Sequence, residues 1–118
     1  MKTVKIGIMP REDIQKRILD IAAGRYKPKP SEPKIWFSSL KSVSQILSTE
    51  NMELLKIINK RKPKSFKELA RYTGRHESNL SRTLKKLESS GVIEVDRTKK
   101  EARPIAKATQ FDIRYGEV

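Results

Sequence analysis

The chain has 118 residues, with 27 Lys and Arg against 14 Asp and Glu, so its formal net charge is +13. Such an excess of positive charge favours a polyanionic partner, nucleic acid before an acidic protein or an anionic membrane. The sequence holds no Cys and one His. This excludes a disulfide framework, a thiol nucleophile and a Cys-based zinc site, and it argues against a His-rich metal centre. We expect no metal, no other cofactor and no catalytic activity.

Hydrophobic residues make up 36% of the chain, enough for one small domain with a modest core. No apolar run approaches the ~20 residues that a transmembrane helix needs. The first residues, MKTVKIGIMPRED, contain too short an apolar stretch for a signal peptide. We therefore expect a cytoplasmic protein with no membrane partner.

The N-terminal third predicts a strand, a helix and a basic arm. Residues 3–9 alternate apolar and polar side chains, as strands do. After Pro10, isoleucines recur at helical spacing until Gly24 stops the helix. Residues 25–34 hold three prolines and four cations. They predict either an extended, solvated linker or an arm that contacts DNA phosphates or a minor groove. We assign residues 1–34 to dimerisation or partner binding, and residues 35–118 to a separate domain.

Two further helices are predicted in the first part of that domain. Trp36 and Phe37 are apolar anchors against it. Apolar spacing predicts one helix over 40–47 and another that begins between Ser48 and Glu50. The second ends in the basic run 60–64, which is equally a solvated helix end or a phosphate contact.

Residues 65–90 predict two helices joined by a tight turn. Ser65 and Glu68 have the spacing of a capping box at the start of the first helix. Gly74 can adopt the positive φ that a tight turn requires. A longer helix begins near His76. Helix, glycine-containing turn and helix is the order of a helix-turn-helix, whose second helix reads base edges.

The second helix has one apolar face and one cationic face. Leu80, Leu84 and Leu87 lie within about 60° of each other on a helical wheel. Hydroxyl, amide and cationic side chains occupy the opposite face and its flanks: Ser78, Asn79, Ser81, Arg82, Lys85, Lys86 and Ser89. Such side chains suit a DNA major groove, where Arg binds guanine and Asn binds adenine through two hydrogen bonds each.

A β-hairpin is predicted after this helix. Residues 92–96 form its first strand and residues 103–109 its second, with Pro104 at an edge. The tip between them, 97–101, is basic. We interpret the hairpin as a wing whose cations reach the DNA backbone or the minor groove.

The stretch SFKELARYTGRHESNLSRTLKKLESSGVIEVD resembles winged helix-turn-helix regulators of the MarR and ArsR kind. The resemblance covers roughly residues 35–110. It implies DNA contacts at the positions of Ser78, Asn79, Ser81, Arg82 and Lys85 and at the wing tip. Residues 1–34 do not match the flanking helices through which MarR proteins dimerise and bind phenolic ligands. Together with WFSSL, the stretch is also similar to small predicted antitoxins, which implies autorepression and neutralisation of a toxin.

The two ends of the chain share one pattern. Residues 111–115 alternate with the same period as residues 3–9, and two short one-faced strands need partners. We expect both strands to join a sheet, within one chain or across a dimer. A homodimer is expected, because such domains usually read two-fold operators, and the 11–24 helix is a natural additional interface.

The predicted fold is α+β: a winged helix-turn-helix with a helical core, a β-hairpin wing and an N-terminal strand-helix extension. The predicted function is sequence-specific, autorepressing transcriptional regulation on a palindromic double-stranded DNA operator, with an antitoxin role beside a cognate toxin protein as an associated possibility. Alternatives are an antitoxin or adaptor with little specific DNA binding, and a basic RNA-binding protein. The predicted DNA-binding residues are Lys62, Lys64, Arg75, His76, Ser78, Asn79, Ser81, Arg82, Lys85, Lys86, Arg97, Lys99, Lys100 and Arg103.

Overall fold

The computed structural model describes residues 2–116, which form an α+β fold of five helices and five strands. The strands are β1 (Thr3–Ile8), β2 (Ile35–Phe37), β3 (Ile93–Asp96), β4 (Arg103–Ala106) and β5 (Gln110–Arg114). The helices are α1 (Arg11–Ala22), α2 (Leu40–Ile46), α3 (Thr49–Arg61), α4 (Phe66–Thr73) and α5 (Glu77–Ser89). The outer ends of the two predicted segments, 1 and 117–118, lie outside the described residues. None of the described helices is long and apolar enough to cross a membrane.

The two ends of the chain meet in one parallel sheet. Its strand order is β2-β1-β5, with Ile6 of β1 paired to Ile35 of β2 and to Ile113 of β5. The strands predicted over 3–9 and 111–115 are confirmed, and they pair within a single chain. Strand β2 was not predicted, because three residues are too few to show a period. The hairpin strands β3 and β4 pair antiparallel, and both are shorter than predicted.

The two faces of the parallel sheet pack against different parts of the protein: one against the main core, the other against α1. Val4 and Ile6 are buried in the main core. On the opposite face, Gly7 lies beneath the indole ring of Trp36, its neighbour across the β1–β2 pairing. The guanidinium of Arg17, from α1, stacks over that ring at 5.2 Å from its centroid. Helix α1 therefore lies on the outer face of the sheet, and the cation–π contact links it to β2.

A side chain at position 7 would collide with this stack. An ideal Cβ on Gly7 would lie 2.3 Å from a ring carbon of Trp36. We expect Gly7→Ala to displace the ring and lower the free energy of unfolding by about 1–3 kcal/mol. Trp36 is the one tryptophan of the chain, so a red shift of its fluorescence reports the displacement. Unchanged fluorescence and stability would contradict this packing.

The proline-rich segment 25–34 contains neither helix nor strand, and residues 25–31 are exposed, as predicted for a solvated linker. Hydrogen bonds anchor it to α1 and β1, and its contact with DNA stays a prediction. The carboxylate of Glu32 accepts hydrogen bonds from Arg17 Nη1 at 3.2 Å, from the Tyr26 hydroxyl and from the Lys29 amide. Lys5 Nζ donates to the Ser31 carbonyl at 3.0 Å. The bonds to Glu32, led by that of Tyr26, hold the pKa of this carboxyl below its usual range. These bonds hold the linker against α1 and β1.

The helices begin and end where the sequence predicts. Ser39, Ser48 and Ser65 each cap a helix by accepting a hydrogen bond from a main-chain amide of the first turn. Lys62 closes α3 in the left-handed conformation, with φ of 48°, directly before Pro63. The helical core and both sheets share one hydrophobic cluster. Strand β1, from the predicted N-terminal segment, contributes Val4 and Ile6 to it.

Candidate nucleic-acid interface

The candidate interface begins with helix α4, whose first turn is capped by Ser65. Ser65 Oγ accepts from the Glu68 amide at 3.0 Å, as predicted for a capping box. The carboxylate of Glu68, however, accepts from the Lys64 amide at 3.1 Å instead of the Ser65 amide. Because Ser65 is extended, with φ of −157° and ψ of 167°, the chain enters with the Lys64 amide facing the carboxylate. This bond is the main reason why the pKa of Glu68 is lowered.

The turn between α4 and α5 is short and well bonded. Gly74 has φ of 71° and donates its amide to the Ala70 carbonyl at 2.9 Å. Thr73 Oγ1 donates to the Leu69 carbonyl at 3.0 Å, which closes the last turn of α4. The N-cap of α5 is His76, whose side chain is exposed and does not cap the helix. The turn therefore fixes where α5 begins relative to the buried face of α4.

Helix α5 has the two faces that its sequence predicts. Leu80, Leu84 and Leu87 are each 0% exposed in the core. The opposite side is exposed, and its exposed residues are Ser78, Asn79, Ser81, Arg82, Lys85, Lys86 and Ser89. The leucines determine which side of the helix faces outward, so the cations and hydroxyls form one continuous polar stripe.

Helix α2 adds a wall to this stripe that the sequence did not predict. A shallow groove between the two helices is lined by Ile46, Arg82, Lys85, Lys86, Ser89 and Ser90. Ile46 is the last residue of α2. Its role could not be predicted because periodicity shows the face of a helix, but not which other helix lies beside it. Three cations and two serines border the groove, whose surface is mostly apolar. The cations and hydroxyls are groups that bind phosphate oxygens.

The hairpin tip carries further cations next to α5. Lys99 and Lys100 lie exposed in the loop between β3 and β4. Asp96 accepts from the Thr98 amide at 2.9 Å and from its hydroxyl at 2.6 Å, which orders the start of the loop. These bonds lower the pKa of the Asp96 carboxyl.

Arg97, predicted to contact DNA, is already bound within the chain. Its guanidinium donates to both carboxylate oxygens of Glu88, near the end of α5, at 2.6 and 3.0 Å. The hydrogen bond raises the pKa of Arg97 and lowers that of Glu88. The pair ties the hairpin to α5 and neutralises one of the predicted cations.

This pair gives a prediction about charge on the candidate interface. Glu88→Gln removes an acid and frees Arg97, so we expect affinity for any DNA duplex to rise a few-fold. The salt dependence should steepen by about one phosphate contact for each chain bound. Stability should change little, since exposed ion pairs contribute about 0–1 kcal/mol. Glu53→Gln on α3 is the matched control. Weaker DNA binding by Glu88→Gln alone would instead mean that the pair holds the hairpin in its binding position.

Two predicted cations lie together elsewhere. Lys62, at the end of α3, and Arg103, at the start of β4, line one small cavity with Ile58 and Pro104. Lys64, two residues after Lys62 in the sequence, is exposed. The predicted residues therefore fall into four groups: the turn before α5 (Arg75 and His76), the α5 stripe, the hairpin tip and this α3–β4 cleft. All of them are exposed except Arg75 and Arg103, which are half-buried.

Within residues 2–116, no three His, Cys, Asp or Glu side chains cluster in a way that could hold a metal ion.

A family model described as HVO_A0114 matches residues 46–113. This range takes in α3, α4, α5, the β3–β4 hairpin and most of β5. No curated protein and no solved structure is significantly similar to the chain.

Proposed function

The chain belongs to the HVO_A0114 family, and we propose that it is a sequence-specific DNA-binding transcriptional regulator. One observation carries this proposal: the polar stripe of α5 is exposed directly opposite three fully buried leucines. The stripe follows a tight turn and precedes a hairpin with two exposed lysines. Helix, turn, helix and hairpin in this order constitute the proposed winged helix-turn-helix, similar to that of MarR and ArsR regulators.

Each group of residues has a distinct proposed role. The N-terminal half of α5, with Ser78, Asn79 and Arg82, reads base edges in a major groove. Lys85, Lys86 and the α2–α5 groove bind phosphate. The hairpin lysines and the cations of the α3–β4 cleft bind the DNA backbone on either side of that major groove. In this proposal, the protein binds a palindromic operator as a homodimer and represses its own gene.

Fluorescence anisotropy tests the proposal. The purified chain is titrated against DNA from upstream of its own gene and against a scrambled duplex, at two salt concentrations. We expect a preference of about 10³-fold or more for the upstream DNA. With about 6–10 phosphate contacts per dimer, affinity should fall by about 10³–10⁵ between 50 and 200 mM salt. Equal binding to both duplexes would overturn sequence-specific regulation and leave charge alone as the cause.

The hairpin lysines give a separate prediction. Replacing Lys99 and Lys100 with Ala should weaken binding to upstream and scrambled DNA by the same factor. In the proposed dimer two contacts are lost in each chain, so the slope of log affinity against log salt should flatten by about four, since each phosphate contact contributes about one. The matched control replaces Lys27 and Lys29 in the linker segment 25–34. An equal effect of both double variants would mean that net charge, and not the hairpin, sets the slope.

The exposed face of α1 favours a second candidate function, an antitoxin or adaptor that binds another protein. Helix α1 buries no residue, and Ile18 and Leu19 are 59% and 64% exposed. Co-purification of the product of a neighbouring gene, abolished by Ile18→Lys, is the expected result for this function. Such a role is compatible with DNA binding.

A further inference from the structure

Strand β5 is an open edge of the parallel sheet. In the part of the chain that the structure describes, β5 pairs with β1 alone, so the main-chain groups on its outer side lack strand partners. Ile113 is 43% exposed and Tyr115, directly after the strand, is 66% exposed, whereas Phe111 packs partly against the core. Exposed edges of this kind are templates for another strand.

The sequence along this edge is complementary to itself. The order in residues 111–115 is aromatic, acid, isoleucine, base, aromatic. When two copies pair antiparallel about Ile113, Asp112 lies opposite the partner's Arg114, and Phe111 lies opposite the partner's Tyr115. Opposite residues in an antiparallel pair share a face, so the charges meet on one face and the apolar side chains on the other.

Other antiparallel registers of two β5 strands do not place opposite charges across from each other. Centring the pair on Asp112 would place two carboxylates opposite each other, and centring it on Arg114 would place two guanidinium groups opposite each other. A shift by a single residue would place Asp112 opposite the partner's Ile113. Within one chain, Arg114 already donates to Asp112 at 2.9 and 3.0 Å, so both charged groups are held on the same face of the strand.

We propose that the β5 edge binds a second copy of this chain in an antiparallel register centred on Ile113. The two three-stranded sheets then become one six-stranded sheet with the order β2-β1-β5-β5-β1-β2. The two-fold axis is perpendicular to the sheet, because the paired residues keep their faces. Both helical layers therefore lie on the same side, as two half-sites on one face of DNA require.

This inference rests on the homodimer of the proposed function. Its test uses the full chain without DNA, so failure of the β5 interface is distinguished from failure of sequence-specific DNA binding. Sedimentation velocity of the wild type at tens of micromolar should show a dimer. Asp112→Arg places two guanidinium groups opposite each other in the paired edge, and Arg114→Asp places two carboxylates opposite each other. Each variant alone should raise the dimer dissociation constant by about tenfold or more. Circular dichroism confirms that each remains folded.

Mixing the two variants separates contacts between chains from contacts within one chain. In the mixed dimer each Arg again lies opposite an Asp, although the bond between positions 112 and 114 is lost within both chains. We expect the 1:1 mixture to recover the dimer. A monomeric wild type, or a mixture that stays monomeric, would overturn the proposal. So would dissociation by Ile18→Lys on α1 while both β5 variants remain dimeric.

Discussion

Leu84→Ala should lower the free energy of unfolding by about 2–5 kcal/mol, the largest stability loss expected from a single substitution on α5. Leu84 is 0% exposed in the core, at the centre of the buried leucine stripe. Ala has the highest helix propensity, so the loss would come from the cavity and not from a weakened helix. A domain of this size is stable by about 5–15 kcal/mol, and the substitution removes a large part of that.

Urea denaturation followed by circular dichroism measures the effect, provided that the slope with denaturant stays unchanged. Lys85→Ala is the matched control, because it lies next along the same helix with its side chain exposed. Its free energy of unfolding should change by less than about 0.5 kcal/mol. A loss of under about 1 kcal/mol for Leu84→Ala, or an equal loss for both variants, would contradict the assignment of the two faces of α5.

The leucine stripe also explains why so much of the candidate interface could be predicted from sequence. The period of an amphipathic helix specifies its inner face, and therefore its outer face, without knowledge of the remaining fold. Capping serines and Gly74 mark helix ends through bonds to residues three or four positions away. All of these signals are local, and the helices that they predicted are confirmed.

Contacts between distant residues could not be predicted in the same way. The shared period of 3–9 and 111–115 predicted that both strands join a sheet, but not their parallel pairing with each other or the pairing of β1 with β2, about 30 positions away. The Arg97–Glu88 pair depends on how the hairpin folds over α5. The composition of 25–34 indicated a solvated linker or an arm, but not that Glu32 anchors the segment to Arg17 of α1. A local pattern does not identify the partner that binds it.

Arg82→Ala should reduce affinity by about 1–3 kcal/mol, or roughly 5- to 150-fold, for each operator half-site and relax preference at one base position in each half-site. Arg82 is exposed on the polar stripe of α5, in its N-terminal half, where a recognition helix meets base edges. Binding to scrambled duplex should weaken far less, because it depends on phosphate contacts alone. Anisotropy titrations against the operator and its single-base variants measure both quantities.

Arg82→Lys separates shape from charge at this position. Lys keeps the positive charge but lacks the planar fork that binds guanine through two hydrogen bonds. We expect this variant to keep the salt slope of the wild type while losing base preference, as Arg82→Ala does. Arg11→Ala, which removes the same charge from the start of α1, should leave the preference unchanged. If Arg82→Ala weakened operator and scrambled duplex by one common factor, Arg82 would be a phosphate contact, and the helix would lie differently in the groove.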